Sequence, residues 1–293
     1  MKLVARSFVA IFIRPSILIF LGIVIGVISF LVNVVGGPIV ALTQVGINGG
    51  VASSLLSNLV LYVTALLNVL GFFQDPKILA YTVGGIIFGV IILAAIFAIG
   101  FSGYFNTVYH ALDRQPKKKH FFVKGVQTFF FRIWKMNIIF LFITVIMFII
   151  TSIAIVPTVT FLSTSTEWMH GWGIALAGVT SLVIFFTTIY YIIYMAFWYP
   201  AVFTVSSQPF KYAKKIIDNN FLGVFLRILF LGAFFIIGNS LFEYVVTLIA
   251  GDLAAIGLIL KWIFNTLFLA FASTYVFALY RYLDRRASRT EDS

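Results

Sequence analysis

Cysteine is absent from this 293-residue chain, and only 10% of its residues are charged. Without cysteine there is no disulfide framework, no thiol chemistry and no Cys-based metal site, and thiol usage says nothing about the compartment. The three histidines, His110, His120 and His170, are too scattered for a metal triad. No Gly-rich phosphate loop runs into Lys-Ser or Lys-Thr, and no Gly-x-Ser-x-Gly elbow occurs. Glu167 with His170 is a lone i, i+3 pair, better read as a chance surface pairing than as a site. No catalytic, metal or cofactor constellation is therefore expected, and the chain is not read as an enzyme.

What is present is apolar. Hydrophobic residues make up 62% of the chain, and the mean hydropathy is +1.10. A soluble fold of this length could not hide that surface, so the bilayer must be the solvent. The expected fold class is all-α, a polytopic transmembrane helical bundle forming a single transmembrane domain over residues 1–293. The net charge of +11 sits in loops between apolar runs. Topology and anionic lipid headgroups explain it better than nucleic acid does.

Six spans are expected at about 15–35, 78–105, 136–156, 174–199, 222–250 and 253–280, each near the roughly 20 residues that cross about 30 Å of hydrocarbon. Residues 51–73 could also span by length. Counting them would put Lys2, Arg6 and Arg14 outside, whereas six spans leave every Lys and Arg inside except Lys77 and Lys261. With Ser53, Ser54, Ser57, Asn58, Thr64 and Asn68 forming a polar stripe, 51–73 reads as a re-entrant or interfacial helix. Both termini are then cytoplasmic, and the bacterial inner membrane is the expected location.

The last third displays the repeating unit. A basic amphipathic stretch from Phe210 leads to an apolar run, a tight Gly251-Asp252 break, a second apolar run and a basic end at Arg281, Arg285, Arg286 and Arg289. Similar basic openings precede the runs after Arg14 and Lys135, although the first approach looks cut short by the N-terminus. Three such units give three hairpins of one orientation, with basic amphipathic interfacial helices on the cytoplasmic side. Lys117, Lys118, Lys119, Lys124, Arg132, Lys211, Lys214 and Lys215 are the expected lipid headgroup contacts. In the stretch before Lys135, Phe122, Val126, Phe129 and Ile133 form the expected apolar stripe. In the second span, Gly84, Gly85, Gly89, Gly100 and Gly103 mark an expected helix-packing face.

The sharpest candidate site follows from hairpin geometry. Glu243 and Lys261 lie equally far from Asp252, about 13 Å along each helix at 1.5 Å per residue, so they share one depth in adjacent antiparallel spans. Ionisable residues at such depth are costly unless paired or hydrated. A structural pin, a lysine snorkelling outward and a proton or ion relay are all compatible with this placement. Asn239, Tyr244, Asn265 and Thr266 could extend a polar track from the pair.

The phrase Gly103-Tyr104-Phe105 through Leu112, followed by a short basic loop and a Phe-rich approach, resembles bacterial six-span proteins akin to the membrane domain of glycerophosphodiester phosphodiesterases. So do Pro200-Ala201-Val202 with Ala213-Lys214-Lys215 and Asn219-Asn220-Phe221, and the closing Tyr280-Arg281-Tyr282-Leu283-Asp284-Arg285-Arg286. The likeness covers about residues 78–286, and its motifs are loose. It implies the six-span layout and no hydrolase activity, because the soluble phosphodiesterase domain of some relatives has no counterpart in this sequence.

Two functions fit. One is transport of a small solute, ion or lipid, which the layout favours by analogy. The alternative is a non-catalytic structural or assembly subunit of a membrane complex. Expected partners are membrane lipids with anionic headgroups and other membrane proteins.

Overall fold

In the computed structural model, residues 2–26, 75–113, 120–162, 167–204, 208–250 and 254–291 are described. Among them every element is a helix: α1 (Lys2–Ile13), α2 (Ser16–Gly26), α3 (Pro76–Leu112), α4 (Phe121–Leu162), α5 (Glu167–Thr204), α6 (Pro209–Asp218), α7 (Phe221–Ala250) and α8 (Ala254–Glu291). Five stretches are long and apolar enough to cross a membrane: Leu79–Leu112, Phe121–Thr151, Gly171–Thr204, Phe221–Val246 and Ile256–Ala287. The α1–α2 pair supplies a sixth candidate if its two parts count as one span. The protein is therefore a helical, multi-pass membrane protein. The segment 51–73, the Lys117–Lys119 run and the Gly251-Asp252 break lie outside the described residues.

The helices depart from the expected boundaries in instructive ways. α4 is one continuous helix, about 63 Å long at 1.5 Å per residue and thus longer than the hydrocarbon is thick. The sequence had suggested a separate interfacial helix before a span at 136–156. No proline lies between Phe121 and Met136 to end a helix there. α3 likewise extends past both ends of the expected 78–105. The N-terminal approach, Lys2–Ile13, forms a helix that meets α2 at 86°. Pro15 stands at this corner, where its missing N–H costs nothing at the start of a helix.

The chain divides into two compact units. The first comprises Met1–Phe30, Phe97–Trp134 and Ile189–Ser293, and the second Leu31–Ile96 and Lys135–Thr188. In the first unit α8 is the central element. Its inner half buries Val276, Leu279, Tyr280 and Leu283 against Ile193 and Phe197 of α5 and against Ala213, Ile216 and Ile217 of α6. Hydrogen bonds fix its rotation: Ser273 with Tyr104 at 2.6 Å, Tyr280 with Thr204 at 3.0 Å, and Tyr212 donating to Asp284 Oδ1 at 2.6 Å. α7 packs antiparallel on its outer half. As the chain advances through Phe235 and Phe242, the ring partners run backward from Phe268 to Phe264, at 4.4 and 4.6 Å.

α3 and α4 approach closely at Gly125. A Cβ there would lie 2.6 Å from the Ser102 carbonyl oxygen, so α3 and α4 touch backbone to side-chain stub. Asn106 Nδ2 donates to the Phe121 carbonyl at 2.7 Å beside it. Of the expected stripe, Ile133 is buried, Val126 and Phe129 are half-buried and Phe122 is exposed, while Phe121 and Gly125 are buried next to it. Among the described residues the expected glycine face is used in part. Gly100 and Gly103 pack against the rings of Phe20 and Phe122, but Gly84, Gly85 and Gly89 meet nothing within 4 Å among the described residues.

In the second unit Val90 and Ala94 of α3 and Met136 and Phe140 of α4 are buried. Buried Asn137 donates from Nδ2 to the Ala94 carbonyl at 3.2 Å. That bond helps satisfy a polar amide in an apolar helix pair.

Candidate functional site

At the end of the first unit that carries α1, a cavity of about 710 Å³ is lined by three elements. From α8 come Ala278, Arg281, Tyr282, Arg285 and Arg286. These positions repeat every three or four residues, so one helix face supplies them all. From α1 come Arg6, Val9 and Ala10, which share a face for the same reason. Ala111, Leu112 and Asp113 close the third side where α3 ends.

Each wall is held in place. α1 packs along α8, with Ser7 and Ala10 fully buried and Phe8 stacked on Phe271 at 4.8 Å. Arg14, at the α1–α2 corner, is 3% exposed and lies 4.6 Å over the Phe121 ring. Arg281 grips both oxygens of Asp113, at 2.5 and 3.0 Å, while its guanidinium stacks 3.8 Å above Tyr109. Such a bidentate, ring-backed arginine is fixed in direction as well as in charge.

The charge balance follows from the lining. Four arginines face one aspartate, and Asp113 is already engaged with Arg281. Arg6, Arg285 and Arg286 are exposed at the rim. Five apolar residues, Val9, Ala10, Ala111, Leu112 and Ala278, share the walls with them. The site can therefore attract an anion and accept an apolar part beside it.

The residues singled out from the sequence fall elsewhere. Lys261 Nζ donates to Glu243 Oε1 across the α7–α8 seam, with the two side chains 45% and 53% exposed. One turn deeper, Asn239 and Asn265 each hold a buried Oδ1 with no hydrogen-bond partner. Thr266 is buried and spends its hydroxyl on the Trp262 carbonyl at 2.8 Å. Tyr244 is 67% exposed. The structure thus joins Glu243 to Lys261 across the seam. Trp262, unremarked in the sequence, donates to the Gly22 carbonyl at 2.8 Å and so ties α8 to α2.

Lys124 and Arg132 are exposed on α4, and Lys211, Lys214 and Lys215 are exposed on α6 opposite buried Ala213, Ile216 and Ile217. Asp218 accepts from Lys214 at 2.6 Å and from the Tyr194 hydroxyl at 2.5 Å. The Lys214 bond, followed by that of Tyr194, holds the Asp218 carboxyl below its ordinary range. The same bond raises Lys214.

Of the expected headgroup contacts, the five that lie within the described residues, Lys124, Arg132, Lys211, Lys214 and Lys215, do not line the cavity, whose arginines the sequence marks only as topology signals. The available signal was the i, i+4 spacing of Arg281 with Arg285 beside Arg286 on a helix. Arg6 and Asp113 come from distant segments that no local pattern connects.

The chain matches no family model, no curated protein and no solved structure.

Proposed function

We propose that this multi-pass protein is a transporter, of the bacterial inner membrane, that takes up an anionic solute or lipid through the arginine-lined cavity. The layout adopted is six spans in three hairpins with both termini cytoplasmic, since the positive-inside tendency assigns Arg6, Arg281, Arg285 and Arg286 to that face. The carrying observation is the lining itself: four arginines and one aspartate around about 710 Å³, a size within the ~300–1,000 Å³ of small-molecule sites. Anionic lipids are the expected partners at this face. The resemblance to phosphodiesterase membrane domains supports the six-span layout alone and brings no hydrolase activity with it.

A second reading, a non-catalytic assembly subunit, draws support from the half-exposed Glu243–Lys261 pair. A polar group on a lipid-facing helix surface is a natural contact for a neighbouring membrane protein. Flux through reconstituted vesicles separates the two. A panel of small anions, small cations and labelled lipids should show protein-dependent movement of anions in preference to cations. Selective cation movement, or none with folded protein, contradicts the transport reading.

A further inference from the structure

We infer that the cavity binds the phosphate group of an anionic amphiphile, with the arginines taking the phosphate and the α1 side taking its apolar part. This rests on the reading of the cavity as the uptake site and names its ligand class. Three observations carry it.

The first is the choice of cation. Among the described residues all four basic residues in the lining are arginine, although the chain places lysines freely elsewhere on its surface. A guanidinium presents paired donors in a planar fork that matches two oxygens of a phosphate, whereas an ammonium acts as a point charge. Arg281 is held by Asp113 and Tyr109 as one wall, and Arg6, Arg285 and Arg286 are exposed in the lining beside it.

The second is the mixed lining. A site for a small inorganic anion has no need of Val9, Ala10, Leu112 and Ala278 beside its arginines. A ligand that carries both a phosphate and an apolar body uses both sets.

The third is the setting of α1. This helix turns 86° from α2, so with α2 crossing the bilayer α1 lies along its surface. Its cavity face holds Arg6, while Phe12 is 82% exposed, with Phe8 and Ile13 also exposed beside it. Exposed aromatic and aliphatic residues on an interfacial helix belong at the boundary of headgroups and acyl chains. The cavity therefore opens at the depth where lipid phosphates sit, with an apolar ramp of α1 side chains beside it.

The test uses the full chain in mild detergent and native mass spectrometry. The probes are phosphatidic acid, phosphatidylcholine, glycerol phosphate and inorganic phosphate. Wild type should retain one phosphatidic acid per chain at least tenfold more tightly than phosphatidylcholine. Arg6→Gln/Arg285→Gln should lose that preference about tenfold, whereas Lys77→Gln/Arg227→Gln, with the same charge change outside the cavity, should keep it. Equal loss in both double variants, or no loss in the first, overturns the inference. Glycerol phosphate or inorganic phosphate displacing the lipid at equal concentration would reduce the site to a phosphate site and remove the amphiphile. On wild type alone, phosphatidic acid must raise the melting temperature and phosphatidylcholine must not. That arm holds even where a variant fails to fold. Flux measured alongside separates the two proposals: flux without phosphatidic acid binding sinks this inference alone, and binding without flux sinks transport alone.

Discussion

Arg281 and Asp113 lie 168 positions apart in the chain and meet through two hydrogen bonds, at 2.5 and 3.0 Å, that join α8 to the end of α3. The pair is also the cavity's charge balance. Asp113 holds Arg281 still, and Arg6, Arg285 and Arg286 line the cavity beside it.

Replacing Asp113 with Asn should therefore do two opposite things. The folded state should lose about 1.5–3 kcal/mol, the range for hydrogen bonds to charged groups, and anion binding should tighten as Arg281 is released. Thermal unfolding and a titration with an anionic lipid on one preparation check both signs. Loss of stability with weakened binding would mean that Asp113 shapes the cavity rather than tempers its charge.

The Glu243–Lys261 pair should behave as a pin. Glu243→Gln or Lys261→Met strands one charge at membrane depth, and each should lower stability by about 1–3 kcal/mol. The double variant should recover most of that loss, because no stranded charge remains. The double-mutant cycle in detergent and in lipid checks the coupling. Additive losses would indicate independent roles.

How far the sequence reaches is clear from these two pairs. Glu243 and Lys261 could be matched from distance to a common turn, because a tight hairpin converts sequence separation into depth. Arg281 and Asp113 could not, since nothing local relates the end of α3 to the end of α8. The apolar runs announced the helices themselves, but their ends misled at α4. There a polar, basic stretch looked like a separate helix, yet it contains no residue that breaks one. The glycine face is seen in use at Gly100 and Gly103, where the partner side chains Phe20 and Phe122, which composition alone does not name, set the approach.

Gly125→Ala should be costly and Gly84→Ala harmless. A methyl at Gly125 meets the Ser102 carbonyl at 2.6 Å, part of a backbone that cannot swing aside. A loss of ~1–3 kcal/mol is expected for such overpacking. At Gly84 nothing lies within 4 Å among the described residues, so alanine should be neutral or gain up to about 1 kcal/mol from helix propensity. Melting temperatures of the two variants side by side decide the matter.

The α6 ion pair predicts an acid limit. Asp218 is held below its ordinary value by Lys214 and then Tyr194, so its contribution is complete above the normal carboxylate range and fades as pH falls through the lowered value. Lys214 is raised, so its share persists below the usual lysine range and is lost only as pH climbs past its raised value. Both side chains are largely exposed, and salt should weaken the effect. Wild type should lose melting temperature on acidification slightly more than Asp218→Asn does. Identical acid profiles would mean that the pair adds nothing to α6 docking.

The most direct measurement of the central claim is movement of a short-chain fluorescent phosphatidic acid across reconstituted vesicles. Wild type is compared with Arg6→Gln/Arg285→Gln. Transport through the cavity predicts protein-dependent movement that falls about tenfold in the variant while its melting temperature holds. Equal movement in both proteins, or none with folded wild type, would contradict it.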